Sequence, residues 1–272
     1  MKRVYEIAKA PGEIMRNLFI YRHILMQMVR REIKGRFAGS AGGFLWNFLH
    51  PVLMLIMFLF VFVYIFKMRV GSGGSGTSAL YLMAGLFPWI IIAEGLSRGT
   101  ASLVENATLI QKTAFPTEIL AAKAVVTPFF SYGVALLLLA LYKVATAGSV
   151  AILLFLPAVV IVQVFFTLGI AFLTSTLSVF FRDVLQLMQV LISFWIYATP
   201  ILYPMSLLPE WARTVMYFNP LYPLVSVFQS LFVYGTLAQA DVVLMALGWA
   251  VLFFVSGAFV FNKLRYEFAD WL

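Results

Sequence analysis

The chain has 272 residues, 63% hydrophobic and only 11% charged, with a formal net charge of +8 and no cysteine. A soluble domain carries roughly 25% charged residues, so this composition excludes one, and the long apolar blocks exclude a β-barrel built from ~10-residue alternating segments. The basic excess borders apolar runs, which makes it a topology signal instead of a nucleic-acid signal, and without cysteine there is no disulfide or thiolate-metal chemistry.

The expected fold class is an all-α polytopic membrane protein. Residues 13–36 read as a basic amphipathic helix. At the helical repeat Ile14, Leu18, Tyr21, Leu25, Val29 and Ile33 share one face, and Arg16, His23, Gln27, Arg30 and Lys34 lie opposite. Such a helix is expected to lie on the membrane face. Glu32 and Arg36 fall on its apolar stripe, so its last turn is expected to meet protein instead of lipid. After a glycine-rich turn at 39–43, residues 44–66 carry no charged side chain. At ~1.5 Å per residue they can cross a hydrocarbon core of ~30 Å. This first apolar run starts late and is long, so a cleavable leader is not expected. His50, beside Pro51, is expected to be packed and neutral instead of a ligand.

Residues 67–78 contain GSGGSG, a flexible linker by composition. Gly71 and Gly76 have the spacing of a phosphate-binding loop, but Thr77 stands where that loop needs lysine and no strand precedes it. The second span is expected at 79–97, with Pro88, Trp89 and one carboxylate, Glu94. A membrane carboxylate is a functional hypothesis by default. The alternative favoured here is a position near the cytoplasmic end, paired with Arg98 one turn on. The polar stretch 98–118 follows, in which Asn106 can cap a short helix and Pro116 can stop or start one. Further spans are expected at 119–142, 150–177, 184–203 and 242–261. The block 220–234 begins with prolines and is short for a span, so 204–234 is expected to form re-entrant or interfacial helices.

Six spans place fifteen lysines and arginines on one side and four on the other, a strong positive-inside bias. Both termini are then cytoplasmic. The chain divides into a cytoplasmic segment 1–43, a membrane domain 44–262 and a tail 263–272. Three aspartates and two histidines form no recognisable metal or nucleophile motif, so a catalytic role is not expected. With Glu94 nearly alone as an ionisable group inside the spans, the energy source is expected to be a partner at the cytoplasmic face. The Trp and Tyr residues near predicted boundaries fit either an aromatic belt at the headgroups or a path for sugars.

Several motifs occur in a set order: Arg31-Glu32-Ile33-Lys34-Gly35-Arg36-Phe37, then Ser40, Gly43, Trp46 and Pro51; Glu105-Asn106-Ala107 with Phe115-Pro116-Thr117-Glu118; Phe181-Arg182-Asp183-Val184; Thr199-Pro200-Ile201-Leu202-Tyr203; and Phe218-Asn219-Pro220. Over about residues 20–235 the chain resembles the membrane subunits of ABC exporters of the polysaccharide class, which move O-antigen, capsule or teichoic-acid chains. Two departures are visible: Gly42 replaces a common leucine, and Gln229 stands where an arginine is frequent.

The resemblance implies a six-span permease in the bacterial inner membrane. It would act as a homodimer with two separate ATPase subunits, which would hold ATP and Mg. The implied substrate is a polysaccharide on an undecaprenyl-diphosphate lipid. ATPase coupling is expected at Glu32, Glu105, Asn106, Lys112, Phe115, Pro116 and Glu118. The substrate path is expected at Trp46, Tyr64, Trp195, Tyr197 and Tyr203, and the lipid diphosphate at Arg30, Arg31 and Arg36. Two rivals remain: an ABC exporter for a drug or lipid, and a proton-coupled transporter built on Glu94.

Overall fold

A computed structural model of the chain describes residues 2–36, 42–65, 67, 75–113, 115–147 and 151–272. Ser40 and the first part of the Gly/Ser linker lie outside the described residues. Helices make up the fold, and no strand occurs among the described residues.

The basic segment forms two helices, α1 (Lys2–Ile20) and α2 (Arg22–Arg36). The single helix expected at 13–36 is therefore longer and divided. At the break, Arg22 turns its guanidinium over the Phe19 ring and donates to the Phe19 carbonyl. The break lets one basic segment serve two partners: α1 packs on the helix Ala240–Leu264 and α2 packs on the helix Glu118–Ala147. Ile14 and Val29 are buried and Leu18, Leu25 and Ile33 half-buried, while Arg16, His23, Gln27, Arg30 and Lys34 are exposed; Tyr21, expected on the apolar face, lies at the break and is exposed.

Next come α3 (Trp46–Phe58), continued by a π-helical stretch Leu59–Ile65, and α4 (Ser75–Ala101). His50 lies in α3; it is exposed and meets Tyr132 edge-on, so it is not the packed histidine expected. The short α5 (Ala107–Lys112) leads to α6 (Glu118–Ala147) and α7 (Ala151–Phe180). Then follow α8 (Val184–Trp195), α9 (Glu210–Met216), α10 (Leu221–Tyr234), α11 (Ala240–Leu264) and α12 (Phe268–Trp271).

Among the described residues four helices are long and apolar enough to cross a membrane: Thr77–Ala101, Glu118–Thr146, Ile152–Phe180 and Ala240–Leu264. They coincide with expected spans two, three, four and six. The expected fifth span, 184–203, is not one helix. α8 has 12 residues, which rise ~18 Å against a ~30 Å core. Residues 196–203 are turns, because Pro200 cannot donate to a helix and disfavours helical Thr199.

The long helices close on each other through small and hydroxyl residues. Thr100 donates to Thr174 at 2.8 Å, and Ser178 donates to the Thr100 carbonyl at 2.7 Å, tying α4 to α7. Gly169 on α7 faces Gly257 on α11, and a Cβ at either would overlap backbone of the other helix. One core surrounds α10, whose Leu221, Val225, Phe228, Leu231 and Phe232 are buried. A second core gathers Ile14, Leu103, Ile110, Leu120, Phe172, Phe261 and Phe268, and so joins α1, α5, α6, α7, α11 and α12.

Candidate functional site

The second core sits beside a node of ion pairs. Glu94 and Arg98 lie one turn apart on α4, and Glu32 and Arg36 one turn apart on α2. The two helices exchange partners: Arg36 pairs with Glu94, and Arg98 pairs with Glu32. Arg98 also reaches Glu94 at 3.3 Å, and Lys123 of α6 reaches Glu32 at 2.9 Å. Arg36 additionally donates to Ser131 at 3.3 Å. Two carboxylates and three cations thus join α2, α4 and α6. Glu32 and Arg36 do meet protein, as their place on the apolar stripe required. Their charges are spent internally, whereas Arg30 and Arg31 on the same helix stay exposed. Neither Lys123 nor Ser131 stood out in the sequence; each lies in an expected span with no motif around it.

Residues 105–118 cover the second core. Glu105 and Lys112 are exposed, and Phe115 and Pro116 are half-buried. Asn106 stands at the capping position just before α5, but its side chain turns back and donates to the Ser102 carbonyl at 2.8 Å, so it does not cap the helix. Glu118 is only 2% exposed and accepts a hydrogen bond from Asn17 of α1 at 2.6 Å. α12 packs on α5, and Trp271 meets Phe180 edge-on at 5.3 Å. This tail contact was invisible in the sequence, where 263–272 read as a cytoplasmic tail.

Glu13 of α1 accepts from Asn262 of α11 at 3.1 Å and pairs with Lys9 at 3.4 Å. The Asn262 hydrogen bond, together with the Lys9 charge, holds the Glu13 carboxyl below its usual range.

Beside the C-terminal half of α8 and the turns after it an aromatic groove opens, a cavity of about 840 Å³. Trp195, Tyr197 and Tyr203 line it, joined by Phe194, Trp211 and Phe218. Asn219 fixes its floor. It accepts from Trp195 Nε1 at 2.9 Å and donates to the Ala198 carbonyl at 2.8 Å. Tyr203 donates to the Tyr197 carbonyl at 2.8 Å. Trp46 and Tyr64 do not line this groove; they are exposed toward opposite ends of the helix that begins with α3. Gly42 is explained by Trp46, because a Cβ at Gly42 would lie 2.5 Å from the indole nitrogen.

Residues 24–233, most of the chain, match the ABC-2 type transporter family. The chain belongs to the ABC-2 type transporter membrane family. This ABC-2 protein is 30% identical over 261 residues to the O-antigen export system permease protein RfbA of Myxococcus xanthus, covering 94% of this chain and 98% of that one. A protein of the same name from Klebsiella pneumoniae is 30% identical over 249 residues, covering 91% and 94%. The ABC-2 match spans α2 through α10, and so takes in the ion-pair node, residues 105–118 and the groove.

Proposed function

We propose that this ABC-2 permease is the membrane subunit of an ATP-driven exporter that moves lipid-linked polysaccharide outward across the bacterial inner membrane. The observation that carries the reading is similarity along nearly the whole chain to permeases named for O-antigen export. The permease works as a homodimer with two ATPase subunits that hold ATP and Mg. Six segments cross the membrane, the fifth as α8 together with the turns at 196–203 and not as one helix; both termini are cytoplasmic, and the helices between 204 and 234 are re-entrant. In the first crossing, α3 and its π-helical extension are continuous over Trp46–Ile65.

ATP-driven closure of the ATPases pushes on residues 105–118. Phe115, Pro116, Lys112 and Glu105 offer the outward contact. Glu118 binds the segment to α1, Asn106 binds it to Ser102 just past α4, and Glu32 carries the displacement to α4 and α6. The result is a switch between two packings. The groove with Trp195, Tyr197 and Tyr203 receives sugars, whose C–H faces stack on aromatic rings and still slide. Trp46 and Tyr64 extend the path from the first crossing. Arg30 and Arg31 hold the diphosphate as charge-assisted donors. Arg36 joins them when the switch frees it from Glu94.

Glu94 is paired with Arg36 and Arg98, so the proton-coupled reading loses the unpaired membrane carboxylate it was built on. The test is deletion of the gene with blotting of surface and intracellular polymer. Lipid-linked polymer trapped inside is the expected result. Normal surface polymer would move the reading to a drug or lipid exporter. Replacing Phe115 by Asp together with Pro116 by Ala is expected to abolish export, and full export by that variant would sink the coupling assignment.

A further inference from the structure

A second cavity, separate from the aromatic groove, lies between α4, the turns after α8, and α10. It encloses about 370 Å³. Tyr81, Tyr222, Ser226, Gln229, Ser230 and Tyr234 supply its chemistry, and none of its lining among the described residues is charged. Tyr81 and Glu94 are more than three turns apart on α4, about 20 Å of rise, so the cavity sits at the end of that helix away from the ion-pair node. Ser206 on its rim is exposed, which leaves the cavity open at the surface.

Its polar groups are set in advance. The Tyr81 hydroxyl is placed against the Pro200 carbonyl at 3.0 Å and the Tyr203 carbonyl at 3.1 Å. Gln229 is 6% exposed and donates Nε2 to the same Pro200 carbonyl at 3.0 Å. Ser230 donates to the Thr236 carbonyl at 3.1 Å. Gly85 leaves room for the carboxamide: a Cβ there would lie 2.9 Å from Gln229 Nε2. A buried carboxamide, several hydroxyls and three phenol rings around one uncharged space suit a ligand with polar edges and apolar C–H faces. An anionic group would enter unpaired, since no cation lines the walls. The volume falls within the roughly 300–1,000 Å³ of small-ligand sites and admits a short sugar segment.

We propose that this cavity is a sugar subsite on the outer side of the permease, which holds neutral sugar residues of the polymer after they leave the aromatic groove. The subsite rests on the polysaccharide-export reading. Gln229 and Tyr81 fix its shape, and Ser226, Tyr222 and Tyr234 meet the sugar.

The chain has no cysteine, so a Ser226→Cys variant carries the only thiol in this subunit. The complete transporter bearing it is treated in cells with a charged, membrane-impermeant maleimide. One strain makes polymer, and the other lacks the polymerising glycosyltransferases. The expected result is labelling in the polymer-free strain and loss of labelling in the exporting one. Equal labelling in both strains, or none in either, overturns the subsite. Ser230→Cys, on the same wall, is read the same way and guards against a folding defect in the first variant. Deleting the gene separates the two claims. If surface polymer persists, the export reading fails and takes the subsite with it. If polymer is lost while labelling ignores it, only the subsite fails.

Discussion

Glu32 is the residue on which three helices agree. Its side chain is 12% exposed, and it faces Lys123 at 19% and Arg98 at 37%. Removing one member of a buried ion pair leaves its partner charged and unpaired, which costs about 3–5 kcal/mol. Arg98 is more than a third exposed and water screens it, so the expected loss for Glu32→Ala is nearer to ~2–3 kcal/mol. Thermal unfolding of the detergent-solubilised protein measures it, and an unchanged midpoint would mean the node is ornamental. Glu13 gives a pH signature. Its carboxyl titrates below the usual range because Asn262 and Lys9 stabilise the ionised form. The stabilisation of the α1–α11 contact is therefore fully present above the ordinary carboxylate pKa and fades as pH falls through the lowered value. Hydrogen exchange of α1 is expected to rise in that acid window, and Asn262→Leu is expected to raise exchange above that window as well and to flatten the acid response. At this scale the sequence told part of the story. Glu32 and Arg36 were conspicuous because they broke an apolar stripe. Lys123 was not, because a lone lysine at the start of an apolar helix reads as an ordinary flank.

Elements were readable where composition alone dictates them. α4, α6, α7 and α11 stand out as charge-poor blocks of spanning length, and their cores fall where expected. α8 misled because the apolar block continues past the helix end. Hydropathy does not register that Thr199-Pro200 turns the chain, whereas backbone hydrogen bonding does. The break at Tyr21 escaped for a similar reason: the periodicity runs on through it, and only the two different docking partners require it. The α7–α11 crossing offers the sharpest test of an element. Gly169 and Gly257 let the two backbones touch, and small residues at such crossings set how near membrane helices come. Gly169→Leu is expected to force the helices apart and to destabilise the fold by more than the ~1–3 kcal/mol of ordinary overpacking, because backbone atoms cannot rotate away. Gly133→Leu, where a Cβ meets nothing within 4 Å, is the matched control and should leave the unfolding midpoint nearly unchanged.

For the whole molecule the open question is what covers α8. Leu187 and Val190, three residues apart on one helical face outside the groove, are 55% and 66% exposed. In the proposed homodimer this face meets a second copy. Val190→Cys, introduced into a chain without other thiols, is expected to give an oxidant-dependent dimer band of twice the subunit mass. A purely monomeric band under the same oxidant would place that face against lipid and move the dimer contact elsewhere. Monomer composition could announce a membrane protein, and motif order could announce its family. Neither could say which apolar face meets lipid and which meets protein, because the two environments select the same side chains.

The hydrogen bond between Glu13 and Asn262 joins residues 249 apart in the chain. The ribosome makes α1 first, yet the surface on which it rests exists only once α11 has been synthesised and inserted. Until then Ile14 has no complete pocket, Glu118 waits for Asn17 to settle, and residues 105–118 lack their floor. Contacts this distant in sequence form late. A truncated or misinserted chain would therefore carry its long helices into the bilayer and still lack the finished surface on which the proposed ATPase docks, so that in the proposed assembly only a completed permease recruits its partner.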